Sequence, residues 1–152
     1  MLREAGAVRF LGIDYGDRNV GLALSDPLEL TAQPLGQYIL RSEPENKAYF
    51  CDLVKRHGVD RVIIGFPLRM DGSSGTRARK TQEFADWIEK TCGLPVELWD
   101  ERLTTQQALG IMQEQRVRPR VKKLVEHQIS AALILQSYLD LRHLQGHVPQ
   151  DR

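Results

Sequence analysis

Hydrophobic residues along the chain fall into short runs separated by turn formers, a pattern typical of proteins in which strands alternate with helices. The runs at residues 8–13 and 20–25 flank a polar turn and predict a β-hairpin. Residues 37–40 predict a third strand, and residues 61–66, which lack alternation, predict a fourth strand covered on both faces. With a fifth strand at residues 96–99, the pattern predicts a mixed five-stranded sheet.

Capping residues and the spacing of apolar side chains predict four helices. The first has Ser42 as its N-cap, a proline in its first turn and Glu45 three residues on, and it should end before Gly58. The last is apolar nearly all round between residues 129 and 135, so it must be largely buried. This order of elements predicts an α/β fold with helices on both faces of the sheet. The predicted helices cover residues 42–57, 76–92, 104–115 and 124–144.

The length of 152 residues suits one domain, residues 1–145, and residues 146–152 are expected to form a disordered tail. With 41% hydrophobic and 27% charged residues, the composition is that of a globular protein. No apolar run is long enough to span a membrane, and the N-terminus lacks the pattern of a secretory signal. Cys51 and Cys92 are too few for a disulfide framework. We therefore expect a cytoplasmic protein without a membrane partner.

Acidic residues follow two of the predicted buried strands. Asp14 comes directly after the first strand, and Asp100 and Glu101 come directly after the fifth. If adjacent parallel strands bring them together, the carboxylates repel one another unless a divalent cation neutralises them. Oxygen ligands favour Mg²⁺ or Mn²⁺, and a pair of such ions would activate a water for phosphodiester hydrolysis. The alternatives are that Asp14 bonds its own turn and that Asp100 and Glu101 cap the next helix or pair with Arg102.

The start of the last helix offers a third metal ligand. Glu126 and His127 are adjacent, and helical spacing places them on neighbouring stripes, so either could face the sheet. A histidine beside an apolar stripe is also common as a satisfied interior residue. An imidazole ligand would favour Mn²⁺ more than an all-oxygen site does. The catalytic candidates are Asp14, Asp100, Glu101 and His127, and the metal-ligand candidates are Asp14, Glu101, Glu126 and His127.

Basic residues border this site in the sequence. Residues 116–123 carry five basic side chains among eight, immediately before the last helix, and a looser group lies between residues 69 and 80. Such side chains would neutralise phosphates and orient a polyanion without reading its sequence. Residues 69–80 are a candidate flap over the substrate, and the alternative for both segments is a solvated loop. The nucleic-acid-binding candidates are Arg18, Arg69, Arg77, Arg79, Lys80, Arg102, Arg118, Arg120, Lys122 and Lys123.

Four motifs in this order resemble the YqgF-like family, also called RuvX-like. They are GIDYG at 12–16 with GLA at 21–23, IGFPLRMDGS at 64–73, DERLTT at 100–105 and AALILQSYL at 131–139. The resemblance covers residues 10–141. It implies a ribonuclease-H-like fold and a divalent-metal-dependent nuclease that matures the 5′ end of pre-16S ribosomal RNA during ribosome biogenesis. Cleavage of Holliday junctions or other branched DNA is the alternative that the resemblance implies.

The resemblance also implies metal-site roles for Asp14 and for the pair Asp100 and Glu101. The family has a further aspartate at the start of the last helix, where this sequence has His127. Either His127 coordinates the metal through a ring nitrogen, or Glu126 substitutes for the aspartate.

Two other classes of function fit parts of the sequence. The turn from Asp14 to Gly16, followed by Gly21, also resembles the first phosphate loop of actin, Hsp70 and sugar kinases, which would make the chain a nucleotide-binding protein. A non-catalytic RNA-binding module would fit if His127 has abolished metal binding. The partners expected of the nuclease are structured RNA or branched DNA, and a homodimer is compatible with the sequence.

Overall fold

The computed structural model describes residues 7–67, 75–101 and 119–146, and in the last helix it describes side chains from Glu126 onward. The helix predicted at 104–115, most of the candidate flap and the tail beyond residue 146 lie outside the described residues. The elements are β1 (Phe10–Tyr15), β2 (Asn19–Ser25), β3 (Ala32–Ile39), α1 (Glu43–Arg56), β4 (Arg61–Phe66), α2 (Thr76–Cys92), β5 (Val96–Asp100) and α3 (Pro119–Leu144).

The five strands form one mixed sheet in the order β3-β2-β1-β4-β5. β2 pairs with β1 and with β3 in the antiparallel sense, whereas β1, β4 and β5 run parallel to one another. The carboxyl ends of the three parallel strands therefore lie at one edge of the sheet. In α/β proteins this is the edge at which ligands bind.

β3 is longer than the sequence predicted, because pairing with β2 extends it back to Ala32. The prediction began the strand at Gln37. Pro34 and Gly36, which the structure includes in β3, are residue types that are unfavourable inside strands. β3 is an edge strand, where a proline can be accommodated without losing a hydrogen bond to a second neighbour. Long-range pairing thus overrides the local signal.

Each face of the sheet packs into its own hydrophobic cluster. Alternate residues of a strand point to opposite faces, so Leu11 of β1 packs in one cluster and Phe10 in the other. α1 and α2 cover the face of Leu11, to which they contribute Phe50 and Ile88. α3 covers the face of Phe10, to which it contributes Leu135. Helices on both faces were predicted, and the structure confirms them.

The helix boundaries follow the predicted capping residues except at α3. Ser42 Oγ accepts a hydrogen bond from the backbone N–H of Glu45 at 3.3 Å, and α2 ends at Gly93 with a φ of 68°. α3 begins at Pro119, earlier than the predicted start near residue 124. Proline suits the first turn of a helix, and the arginine and lysines that follow are good helix formers. In the described ranges, no helix combines the length and apolar character needed to cross a membrane.

Candidate active site

Asp14 lies within β1, one residue before the strand ends, rather than beyond the strand as predicted. Pairing with β2 continues to this end, with Asp14 opposite Gly21. Alternation along β1 places Asp14 on the face of Phe10, which α3 covers. Only 7% of Asp14 is exposed. A carboxylate buried to this extent requires polar partners.

Glu101 supplies one of these partners from the far side of β4. The expectation that the acids follow adjacent strands is wrong, because β4 separates β1 from β5. Glu101 follows β5 directly, and its carboxyl group shares a hydrogen bond with that of Asp14. Gly65 of β4 lies beneath it: a Cβ built there would be 2.8 Å from Glu101 Oε1 and 2.9 Å from Glu101 Cγ. Glycine at position 65 therefore makes room for the side chain that crosses the strand.

Asp100 lies on the other face of the sheet. It is the last residue of β5, in which Leu98 packs under α1 and α2 while Trp99 packs under α3. Alternation places Asp100 with Leu98, opposite Glu101. Its charge is the smallest of the contributions to the Glu101 pKa. The structure therefore brings Asp14 and Glu101 together and separates Asp100 from them.

α3 brings His127 to the same point. His127 Nδ1 lies 3.1 Å from Asp14 Oδ2. Glycines allow the helix to approach the sheet this closely, since a Cβ at Gly12 would lie 2.9 Å from the carbonyl oxygen of Ala131. A Cβ at Gly21 would collide with the carbonyl group of His127. The backbone of α3 therefore packs directly on β1 and β2. This close approach brings the side chain of His127 into contact with Asp14.

The structure distinguishes the two candidates at the start of this helix. Glu126 is exposed, whereas the His127 ring lies beside Asp14 and is 26% exposed. One step along a helix rotates a side chain by about 100°, so adjacent residues cannot both face the sheet edge. The ring lies near Gly16, where a Cβ would be 3.1 Å from His127 Cε1. The helix therefore presents His127, and not Glu126, to the acids.

Burial and mutual repulsion change the proton affinities of this cluster. Burial, followed by the charge and hydrogen bond of Asp14, raises the pKa of Glu101 to about 7. The hydrogen bond to Asp14 also raises the pKa of His127, although burial opposes this change. Near neutral pH Glu101 therefore retains a share of its proton, which a bound cation would displace.

Two carboxylates and an imidazole form a donor set that suits a divalent cation such as Mg²⁺ or Mn²⁺. The raised pKa of Glu101 supports this fit, because burial and the charge of Asp14 disfavour a second carboxylate until a cation neutralises the pair. Within residues 7–67, 75–101 and 119–146, no group of three His, Cys, Asp or Glu side chains is already arranged to hold a metal ion. Glu101 and His127 each form a hydrogen bond with Asp14 instead.

Basic side chains lie around the same edge of the sheet. Arg77, in the first turn of α2, donates from Nη2 to the carbonyl oxygen of Tyr15 at 3.4 Å. Lys80 Nζ lies 3.8 Å from a carboxylate oxygen of Asp17 in the turn after β1. The remaining candidates are Arg18 and Arg79, which are exposed; Arg120, Lys122 and Lys123, in the first turns of α3; and Arg69, Arg102 and Arg118, which lie outside the described residues.

Sequence reasoning overlooked the glycines that position the site. Gly12, Gly21 and Gly65 each lie inside a strand, where a side chain would displace α3 or Glu101. A glycine inside a strand pattern indicates that another backbone or a ligand approaches closely. That signal was present in the printed sequence and would have identified these three positions.

The sequence matches known proteins over most of its length. A model of the RuvX family, described as Holliday junction resolvase, matches residues 8–141. A protein of Syntrophus aciditrophicus named "Putative pre-16S rRNA nuclease" is 42% identical over 144 residues, which are 95% of each chain. A protein of the same name from Acetivibrio thermocellus is 47% identical over 135 residues, which are 88% of this chain and 96% of the relative.

Solved structures share the fold at low sequence identity. RuvC of T. thermophilus, in complex with a Holliday junction substrate, superposes with a TM-score of 0.61 at 15% identity, covering 94% of this chain and 99% of RuvC. The fowlpox virus resolvase, in complex with Holliday junction DNA, gives a TM-score of 0.56 at 11% identity, with 88% and 98% covered. These matches confirm the expected ribonuclease-H-like fold. The family match and the two relatives show that the chain belongs to the RuvX family and is a nuclease.

Proposed function

We propose that this nuclease hydrolyses phosphodiester bonds at the buried acidic cluster, with pre-16S ribosomal RNA as its substrate and Mn²⁺ or Mg²⁺ as its cofactor. The observation that carries the proposal is the convergence of Asp14, Glu101 and His127 at the carboxyl edge of the parallel strands. Ionisable groups that are buried together with shifted pKa values are typical of catalytic sites. The edge at which they meet is the one at which α/β sheets bind ligands.

Asp14, Glu101 and His127 would hold the cation, and a second ion would complete the pair expected from the sequence. When bound, such a cation polarises the phosphate and lowers the pKa of a water molecule. His127 Nδ1 lies 3.1 Å from Asp14 Oδ2, so a neutral ring with its proton on Nε2 would present the Nδ1 lone pair to a cation that Asp14 also binds. Glu101 must lose its proton before it can act as a ligand, and its pKa of about 7 permits this loss at neutral pH.

Basic side chains would hold the polyanion across this centre. Arg18 and Lys80 lie at the turn that follows β1, so their charges would meet backbone phosphates close to Asp14. Contacts of this kind orient a strand without reading its sequence. A structured RNA would then be selected mainly by its shape and its 2′-hydroxyl groups.

The similar proteins support two substrates. The relatives at 42% and 47% identity are named for pre-16S ribosomal RNA, which favours RNA. The family description names the Holliday junction, which makes a four-way DNA junction the second candidate. Both substrates are held together by phosphodiester bonds, so the same acidic centre would act on either.

The test compares cleavage of an end-labelled pre-16S RNA fragment and a four-way DNA junction in Mn²⁺, Mg²⁺ or EDTA. Asp14→Asn keeps the shape of the side chain and removes its charge, so we expect the cleavage rate to fall on the order of 10³-fold. Asp52→Asn is the matched control, because Asp52 is exposed on α1 and pairs with Arg56 at 3.3 Å. The control should cleave at the wild-type rate.

Calorimetric titration with Mn²⁺ provides a readout that does not depend on cleavage. We expect binding to the wild type and to Asp52→Asn, and its loss in Asp14→Asn. Cleavage that persists in EDTA, or that is equal in Asp14→Asn and the wild type, would overturn the proposal.

A further inference from the structure

Arg77 approaches the acidic centre from the opposite face of the sheet. α2 packs under the sheet through Phe84, on the face away from α3. Its first turn nevertheless lies at the carboxyl edge, where Arg77 Nη2 donates to the carbonyl oxygen of Tyr15 at 3.4 Å. Tyr15 follows Asp14 in the sequence, so this bond holds the guanidinium at the end of β1 that carries the buried carboxylate.

The charge of Arg77 acts on several groups of the site. It lowers the pKa of Glu101, of His127 and of the Tyr15 phenol, although larger effects raise each of these values. The hydrogen bond to the carbonyl oxygen of Tyr15, the last residue of β1, places this charge at the carboxyl edge of the parallel strands. Arg77 is exposed, so a molecule arriving from solvent can contact the same guanidinium.

We propose that Arg77 binds the phosphate that is cleaved and stabilises the negative charge that its oxygens gain in the transition state. This inference rests on the nuclease activity proposed above. A phosphodiester placed beside Asp14 and Glu101 is repelled by their carboxylates, and a cation at the same point offsets this repulsion.

The geometry distinguishes Arg77 from the other basic residues. Its bond to a carbonyl oxygen uses one of the five N–H donors of a guanidinium and orients the group before substrate binds. Donors that are oriented in advance stabilise developing charge with little reorganisation. Lys80 instead contacts Asp17 in the exposed turn, where it would hold a more distant phosphate.

The experiment measures kcat and KM for the metal-loaded enzyme with the substrate that the wild type cleaves best. We expect Arg77→Ala to lower kcat about 10²-fold and to change KM less than about 3-fold. Arg77→Lys keeps the charge without the planar fork, so it should restore only part of kcat. Arg56→Ala is the matched control, since Arg56 is an exposed arginine of α1 paired with Asp52, and it should match the wild type.

Chemical rescue separates a direct role from a structural one. Guanidinium ion added to Arg77→Ala should restore part of kcat, whereas the same concentration should not restore Asp14→Asn. An increase in KM with unchanged kcat would overturn the inference, because it would indicate uniform binding of the polyanion. A loss of kcat that neither guanidinium nor Arg77→Lys restores would also overturn it.

The two proposals fail in different ways. If the wild type cleaves neither substrate, the proposed nuclease site fails, and the role of Arg77 fails with it. If Asp14→Asn is inactive while Arg77→Ala cleaves at the wild-type rate, only the inference about Arg77 fails.

Discussion

Two buried carboxylates lie against α3, and their charges are neutralised differently. Glu29, between β2 and β3, is 2% exposed; its Oε1 lies 3.2 Å from Arg142 Nη2, and its Oε2 accepts a hydrogen bond from the backbone N–H of Val8 at 3.0 Å. Asp14 is 7% exposed and meets an imidazole and a second carboxyl group. The helical partners of the two acids are about 22 Å apart along α3.

The charge of Glu29 is neutralised by Arg142 of the same chain. At Asp14, a second carboxyl group, that of Glu101, lies close enough to repel it. Arg142, the partner of Glu29, also packs over the ring of Phe10 at 5.0 Å from its centroid. A buried pair of this kind is costly to break and serves the structure. At the Asp14 site, burial and the charge of Asp14 raise the pKa of Glu101, so the site gains stability when it binds a cation from outside. The unbalanced site is therefore the one to which we assign function.

The largest expected difference between the two sites is in catalysis. Glu101→Gln removes a carboxylate of the proposed metal site, so we expect the cleavage rate to fall on the order of 10³-fold. Glu97→Gln is the control, because Glu97 lies on the same face of β5 and contacts the Tyr138 hydroxyl at 3.4 Å. The control should stay within about 3-fold of the wild type. Equal rates for the two variants in a single-turnover assay would contradict the assignment.

The stability of the fold should depend strongly on the Glu29 site, whereas the cleavage rate should not. Glu29→Gln leaves the Arg142 guanidinium without its carboxylate, so we expect the free energy of unfolding to fall by about 3 kcal/mol. Asp52→Asn, which removes an exposed ion pair, should cost less than about 1 kcal/mol. Urea unfolding measures both changes, and cleavage by the folded fraction of Glu29→Gln should equal that of the wild type. Equal stabilities of Glu29→Gln and Asp52→Asn would show that the Glu29 pair contributes no more than an exposed one.

The last expected difference is a pH dependence of stability at the Asp14 site. The pKa of Glu101 is raised from 4.5 to about 7 on folding, so the folded chain binds this proton more tightly than the unfolded chain does. The resulting stabilisation is fully present below about pH 4.5 and is lost as the pH rises through about 7. Relative to Glu101→Gln, the wild type should therefore lose about 3 kcal/mol between pH 4.5 and pH 8.

Urea unfolding of both proteins at several pH values measures this loss, and His127 is present in both. Added Mn²⁺ at pH 8 should restore the stability of the wild type and not that of Glu101→Gln. A stability difference that is constant with pH would show that Glu101 keeps its ordinary pKa in the folded chain.

The sequence predicted more of the fold than of the site geometry. Five strands with helices on both faces were predicted from hydrophobic runs and caps, and the structure confirms them. The starts of β3 and α3 were wrong, because strand pairing extended the first and a proline began the second. The roles of Asp14, Glu101 and His127 remain predictions, but the structure shows that these three side chains meet.

Local patterns in the sequence determined which segments form strands and helices, because periodicity and capping depend on residues only a few positions apart. Only the tertiary structure decided that β4 lies between β1 and β5, and that Glu101 reaches Asp14 over Gly65. It also decided that His127, and not Glu126, faces the acids. These features depend on strand order and on the rotation of α3 against the sheet. Both result from packing between residues far apart in the chain, which no local signal specifies.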